Sequence, residues 1–142
     1  GGGGLSQLSS LGVGVSLDFP GQYASFDSAP VTDDLRVTGS PTVTVHVRST
    51  SDTAVLFAKV YDVSGSGGQV LPSQLVTPVR VEGAKAGKDV TITLPAVDHK
   101  VQDGHRLRLV LASTDLGYAS PMTPATYTVS MKGPLKVPTA PA

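Results

Sequence analysis

The 142-residue chain contains no cysteine and no tryptophan. Without cysteine there are no disulfides, thiolate nucleophiles or thiolate metal sites, and the compartment stays open. Without tryptophan, and with aromatics at 5% of the chain, a sugar-binding platform of stacked rings is disfavoured, because a flat exposed ring is what matches the C–H face of a sugar. Tyr23, Tyr61 and Tyr118 lie far apart in sequence and Tyr127 has inward parity, so only a groove-type sugar module stays open. Charge is scarce too. Charged residues make up 15% of the chain, against about 25% in an ordinary domain, and eleven Lys and Arg balance eleven Asp and Glu. Neither a basic excess nor a basic stripe is present, so nucleic acid and anionic membrane surfaces are not expected partners. Low charge with zero net charge suggests a surface built partly to sit against another body. No apolar run approaches the roughly 18 residues of a membrane-spanning helix, and no signal peptide is visible. The opening Gly1-Gly2-Gly3-Gly4 reads as a linker end, a cleavage product or a cloning scar.

What is present is alternation. In "GVGVSLDF", Val13, Val15, Leu17 and Phe19 share one face. In "TVTVHVRS", Val43, Val45 and Val47 oppose Thr42, Thr44, His46 and Arg48. "VTITL" sets Val90, Ile92 and Leu94 against Thr91 and Thr93, and "ATYTVSM" sets Ala125, Tyr127, Val129 and Met131 against Thr126, Thr128 and Ser130. A period of two with abundant valine and threonine predicts strands half-buried in a sheet. Turn signals separate them: Pro20-Gly21, Gly39-Ser40-Pro41, Ser64 to Gly68, Gly83 to Gly87, Asp103-Gly104 and Gly133-Pro134. No stretch carries an apolar helical repeat. The expectation is an all-β domain of about eight or nine strands, a jelly-roll β-sandwich, over residues 11–133, with residues 1–10 as a linker or scar and 134–142 as a C-terminal tail. One segment differs: "AVLFAKVYDV" is apolar on both faces, with Leu56, Ala58 and Val60 on one and Val55, Phe57 and Tyr61 on the other. Such a strand is central and covered twice, by a loop of its own chain or by another protein body.

Candidates for chemistry are few. No serine has glycines two residues before and two after it, so the G-x-S-x-G nucleophile elbow is missing. Ser66 in "SGSGGQ" reads as part of a hairpin loop, and that run lacks the Lys-Ser/Thr pair of a phosphate loop. His46, His99 and His105 show no metal-ligand spacing. His46 falls on a polar strand face, and His105 is expected at the edge of the core, bonded to backbone. Asp27, Asp33 and Asp34 lack D-x-D-x-D spacing and read as turn aspartates more readily than as calcium ligands. In "DGHRLRLVLASTD", Leu107, Leu109 and Leu111 form a core face, and Arg106, Arg108 and Val110 form the other. Arginines two apart on one strand face sit about 7 Å from each other, suited to gripping carboxylates of a neighbouring surface, or to a solvated strand face. No nucleophile or base accompanies them. No catalytic residue, metal or cofactor is expected.

Two stretches carry a family resemblance. "FDSAPVTDDLRVTGSPTVTVHVRSTSDTAVLFAKVYDV" (26–63) and "VDHKVQDGHRLRLVLASTDLGYA" (97–119) resemble the C-terminal domain of the X-Pro dipeptidyl-peptidase and cocaine-esterase-like serine hydrolases. The second holds the Gly-His-Arg-Leu-Arg-Leu strand as Gly104 to Leu109, followed by Ser113, Thr114, Asp115 and Tyr118. The family often has proline after that aspartate, where this chain has Leu116-Gly117. The resemblance spans about residues 13–131. It implies a galactose-binding-like jelly roll packed on an α/β-hydrolase domain that holds the catalytic triad, so this chain would be a non-catalytic accessory domain supporting the active-site rim or homo-oligomer contacts. The candidate interface residues are Val55, Phe57, Tyr61, Arg106, Arg108, Asp115 and Tyr118. Two alternatives remain: a free-standing carbohydrate-binding module, and a structural or adhesive module.

Overall fold

A computed structural model describes residues 4–8, 15–17, 23–72, 75–113 and 126–141. Among the described residues there are thirteen strands: β1 (Gly4–Leu8), β2 (Val15–Leu17), β3 (Tyr23–Asp27), β4 (Leu35–Gly39), β5 (Thr42–Ser49), β6 (Thr53–Val63), β7 (Gln69–Val70), β8 (Val76–Glu82), β9 (Lys88–Thr93), β10 (Val97–Val101), β11 (Arg106–Ser113), β12 (Tyr127–Met131) and β13 (Leu135–Ala140). No helix occurs among the described residues. The strands form two antiparallel sheets, of eight and five strands, packed as a β-sandwich. The all-β expectation holds, with more strands than expected because several are only two to five residues long.

In the five-stranded sheet the order is β3-β11-β6, with β7 and β8 both on the far side of β6. In the eight-stranded sheet β5 is central, paired with β9 along one edge and with β12 and then β13 along the other. The core is the meeting of the two inner faces, and apart from Phe26 its buried side chains are aliphatic: Val43, Val45 and Val47 of β5 face Ala54, Leu56, Ala58 and Val60 of β6 and Leu107, Leu109 and Leu111 of β11, all buried. The leucines of "RLRLVL" are therefore core, as the alternation predicts.

Both segments expected outside the domain contribute strands. Gly4–Leu8, expected as linker or scar, runs antiparallel to β13 from Gly4↔Thr139 to Leu8↔Leu135. Leu135–Ala140, expected as tail, puts Leu135 and Val137 into the core. Proline content made "LKVPTA" read as a tail, since proline weakens a strand assignment. Here Pro138 lies against Gly39, whose φ of +121° suits glycine and where a Cβ would come within 3.1 Å of the proline ring.

Candidate functional site

The register of the five-stranded sheet arranges its outer face in cross-strand rows. Asp27, Arg108 and Tyr61 form one row, and Ser25, Val110, Lys59 and Val76 form the next. The third is Tyr23, Ala112, Phe57 and Pro78, followed by Val55 beside Arg80. β6 is thus central in its sheet, and its second apolar face looks outward. Phe57 retains 37% of its surface and Tyr23 64%, in a row otherwise made of alanine and proline. Small Ala112 between two rings leaves a notch. Beside it a concavity of about 580 Å³ is lined by Tyr23, Lys59, Tyr61, Arg108, Val110 and Ala112. Tyr23 and Tyr61, remote in sequence, meet there.

At one end of this face two guanidiniums share one carboxylate. Arg108 donates from Nε to Asp27 Oδ1 at 2.6 Å, from Nη2 to Asp27 Oδ2 at 2.9 Å and from Nη1 to Gln69 Oε1 at 2.9 Å. Arg106 Nε lies 3.1 Å from Asp27 Oδ2, but it is misaligned for a hydrogen bond and is buried without another partner among the described residues. The bidentate bond to Arg108 holds the Asp27 carboxyl below its ordinary range, against an opposing effect of burial, and Arg106 adds to the lowering. The same bond raises Arg108. The carboxylate the two arginines grip is therefore the chain's own, and Arg108 spends three N–H donors on Asp27 and Gln69. Arg106 keeps the unspent charge.

Of the seven expected interface residues, Val55, Phe57, Tyr61, Arg106 and Arg108 come together on this one face. Asp115 and Tyr118 lie outside the described residues. Tyr23, Lys59, Val76 and Pro78 share the face and went unnoticed as members of it. Their signal is their strand parity, which means nothing until the partner strands and register are known.

A second polar cluster corrects the reading of the histidines. The Asp62 side chain, 9% exposed, bonds His99 Nε2 through Oδ2 and His105 Nδ1 through Oδ1, each at 2.7 Å. His105 is thus held by a carboxylate, where backbone was the expected partner, and two histidines taken as unrelated share one anion. Asp103-Gly104 makes the local geometry: His105 N donates to Gln102 O across a turn in which Gly104 takes a φ of +83°. Because β10 carries His99 and β6 carries Asp62, the cluster ties the two sheets together.

Among the described residues, two Ser, His and Asp groupings come near one another without a serine bonded to a histidine. Ser64 shares a concavity of about 320 Å³ with Asp62 and His105, yet its hydroxyl is bonded to that of Ser66 at 3.0 Å. Asp89, His46 and Ser130 fall in one cross-strand row, with His46 Nδ1 bonded to Asp89 at 2.7 Å. His46 Nε2 lies beside Gly87, however, 2.8 Å from where a Cβ would stand. No hydrogen bond joins Ser130 to it among the described residues. The three aspartates weighed for calcium do not converge: Asp27 is taken by the arginines, and Asp34 by Lys100 and by the amide of Asp103. No group of three His, Asp or Glu side chains suited to a metal ion occurs among the described residues.

Comparison with known proteins places the chain in a family. The profile of the X-Pro dipeptidyl-peptidase C-terminal non-catalytic domain matches residues 18–136. The chain belongs to that family. No curated protein sequence matches it. Among solved structures, the fold is similar to part of a CocE/NonD family hydrolase from Staphylococcus aureus (TM-score 0.71, 15% identity, 96% of this chain and 34% of that one). It is also similar to part of an aminopeptidase from a marine sediment Thaumarchaeota archaeon (TM-score 0.66, 15% identity, 94% and 33%). A third similarity is to part of an α-amino acid ester hydrolase (TM-score 0.59, 18% identity, 82% and 25%). The chain thus spans a quarter to a third of these proteins' length. The X-Pro dipeptidyl-peptidase C-terminal domain is non-catalytic by its family description.

Proposed function

We propose that this domain is the accessory part of a larger serine hydrolase, a dipeptidyl-peptidase or esterase. The outer face of its five-stranded sheet packs against the α/β-hydrolase body of the same parent chain and helps shape the rim of the active-site cleft. The observation that carries the reading is the row Tyr23, Ala112, Phe57 and Pro78. Large apolar groups stand half in water on a sheet whose other face already completes a core, and an exposed patch of this kind marks a contact surface. Charge supports the same face. Arg106, Arg108, Lys59 and Arg80 outnumber Asp27 and Glu82 on it, so the body should meet it with an apolar centre and carboxylates towards Arg106 and Lys59. An interface of about 600–1,500 Å² is usual between domains of one chain.

The test is Phe57→Asp in the parent enzyme. A desolvated carboxylate in the apolar row is expected to loosen the domain from the body, giving a separate unfolding transition and reduced turnover of an X-Pro-anilide or short acyl ester. A single transition with unchanged turnover contradicts the reading. The isolated 142-residue chain is expected to hydrolyse neither substrate, and turnover by it would overturn the accessory assignment.

A further inference from the structure

A different concavity, of about 470 Å³, opens on the other sheet, lined by Thr42, Thr44, Thr91, Lys132 and Lys136 around the Gly133-Pro134 turn. The backbone anchors both lysines to one edge of β5: Lys132 N donates to Thr44 O at 2.9 Å, and Lys136 stands opposite Thr42. Among the described residues no carboxylate lines the concavity. Among the described residues neither ammonium has an ion-pair partner, whereas Arg36, Arg80, Lys100 and Arg108 each have one. The hydroxyls of Thr44 and Thr91 share one hydrogen bond of 2.9 Å, which leaves one of their two protons free to donate. Thr42 offers another. The two concavities described above differ, because each carries its own anion: Asp62 lines the smaller, and Asp27 neutralises Arg108 in the larger.

We propose that this concavity is a binding site for a tetrahedral oxyanion, a phosphate or sulfate group. Lys132 and Lys136 supply the charge, and the hydroxyls of Thr42 and of the Thr44–Thr91 pair supply directed donors. Two ammonium groups are compact point charges, which suit an anion with charge on several oxygens. A planar carboxylate is better matched by the arginine fork. The site lies on the eight-stranded sheet and shares no residue with the proposed docking face, so each can hold or fail without the other.

The test is an amide-shift titration of the 142-residue chain with inorganic phosphate at fixed pH and ionic strength. Saturable shifts are expected at Thr42, Thr44, Thr91, Lys132 and Lys136. The double variant Lys132→Gln, Lys136→Gln should bind roughly tenfold more weakly, the loss expected from two partly exposed ion pairs, with an unchanged thermal midpoint. The control Lys85→Gln, Lys88→Gln, at two lysines outside the concavity's lining, should bind as the unaltered chain does. A parallel titration with glucose 6-phosphate assigns the group to a sugar-borne phosphate if it binds more tightly, and to the free ion if it does not. Shifts reproduced by chloride alone, a double variant that binds undiminished, or a control that loses as much would each overturn the site.

Discussion

Replacing Asp62 by alanine should be among the most damaging polar substitutions in this domain. Its carboxylate accepts two hydrogen bonds of 2.7 Å from His99 and His105 and is almost fully buried. Hydrogen bonds to a charged group contribute roughly 1.5–3 kcal/mol each. Removing the carboxylate also leaves two partly buried imidazole groups without their partner, at about 1–3 kcal/mol each, or roughly 2–6 kcal/mol in all. That range is a large share of the roughly 5–15 kcal/mol that holds a domain folded. For a chain of this length each kcal/mol shifts the midpoint by roughly 2–4 °C, so Asp62→Ala should lower it by about 4–24 °C, and by about 12 °C at the middle of both ranges. Asp62→Asn keeps an acceptor for one histidine and should lose less than half as much. Urea titration followed by circular dichroism gives the free energies, and thermal melts give the midpoints. If Asp62→Ala lost less than about 1 kcal/mol, the idea that this carboxylate ties the sheets together through two histidines would be refuted.

Other consequences are equally specific. Leu109→Ala removes a fully buried side chain at the centre of β11 and should cost about 2–5 kcal/mol by urea denaturation. Gly87→Ala should cost about 1–3 kcal/mol, since Gly87 has a φ of +86° and a new Cβ would meet His46 at 2.8 Å; a neutral result would remove the close approach. Asp27 titrates below its ordinary value when folded, so the unfolded chain binds the proton first as pH falls. Its contribution is therefore present at neutral pH and lost on acidification through and below about pH 4. Asp27→Asn should destabilise at pH 7, with the difference from the unaltered chain shrinking towards pH 2 in paired melts. A difference that persists at pH 2 would contradict the Arg108 bond as its source.

Alternation along the chain was enough to read the sandwich, the leucine face of β11 and the two apolar faces of β6, because a period of two is a local property. It also sorted five interface candidates onto one parity, and the register then lined them up. The partners were not legible. Arg108 and Asp27 are 81 residues apart, and Asp62 is 37 residues from His99 and 43 from His105. Such meetings are fixed by which strands pair and at what offset, and nothing in the spacing of the residues encodes that. β1 and β13 were missed for a different reason: glycine and proline argue locally against a strand, and the ladder and buried Val137 override them.

The central claim is that the aromatic face of the five-stranded sheet is covered in the parent enzyme, and side-chain footprinting tests it most directly. Hydroxyl-radical labelling of Tyr23, Phe57 and Tyr61 should fall several-fold in the parent enzyme relative to the isolated 142-residue chain, while labelling of the exposed Leu71 stays level. Equal labelling of the three rings in both proteins would contradict the account.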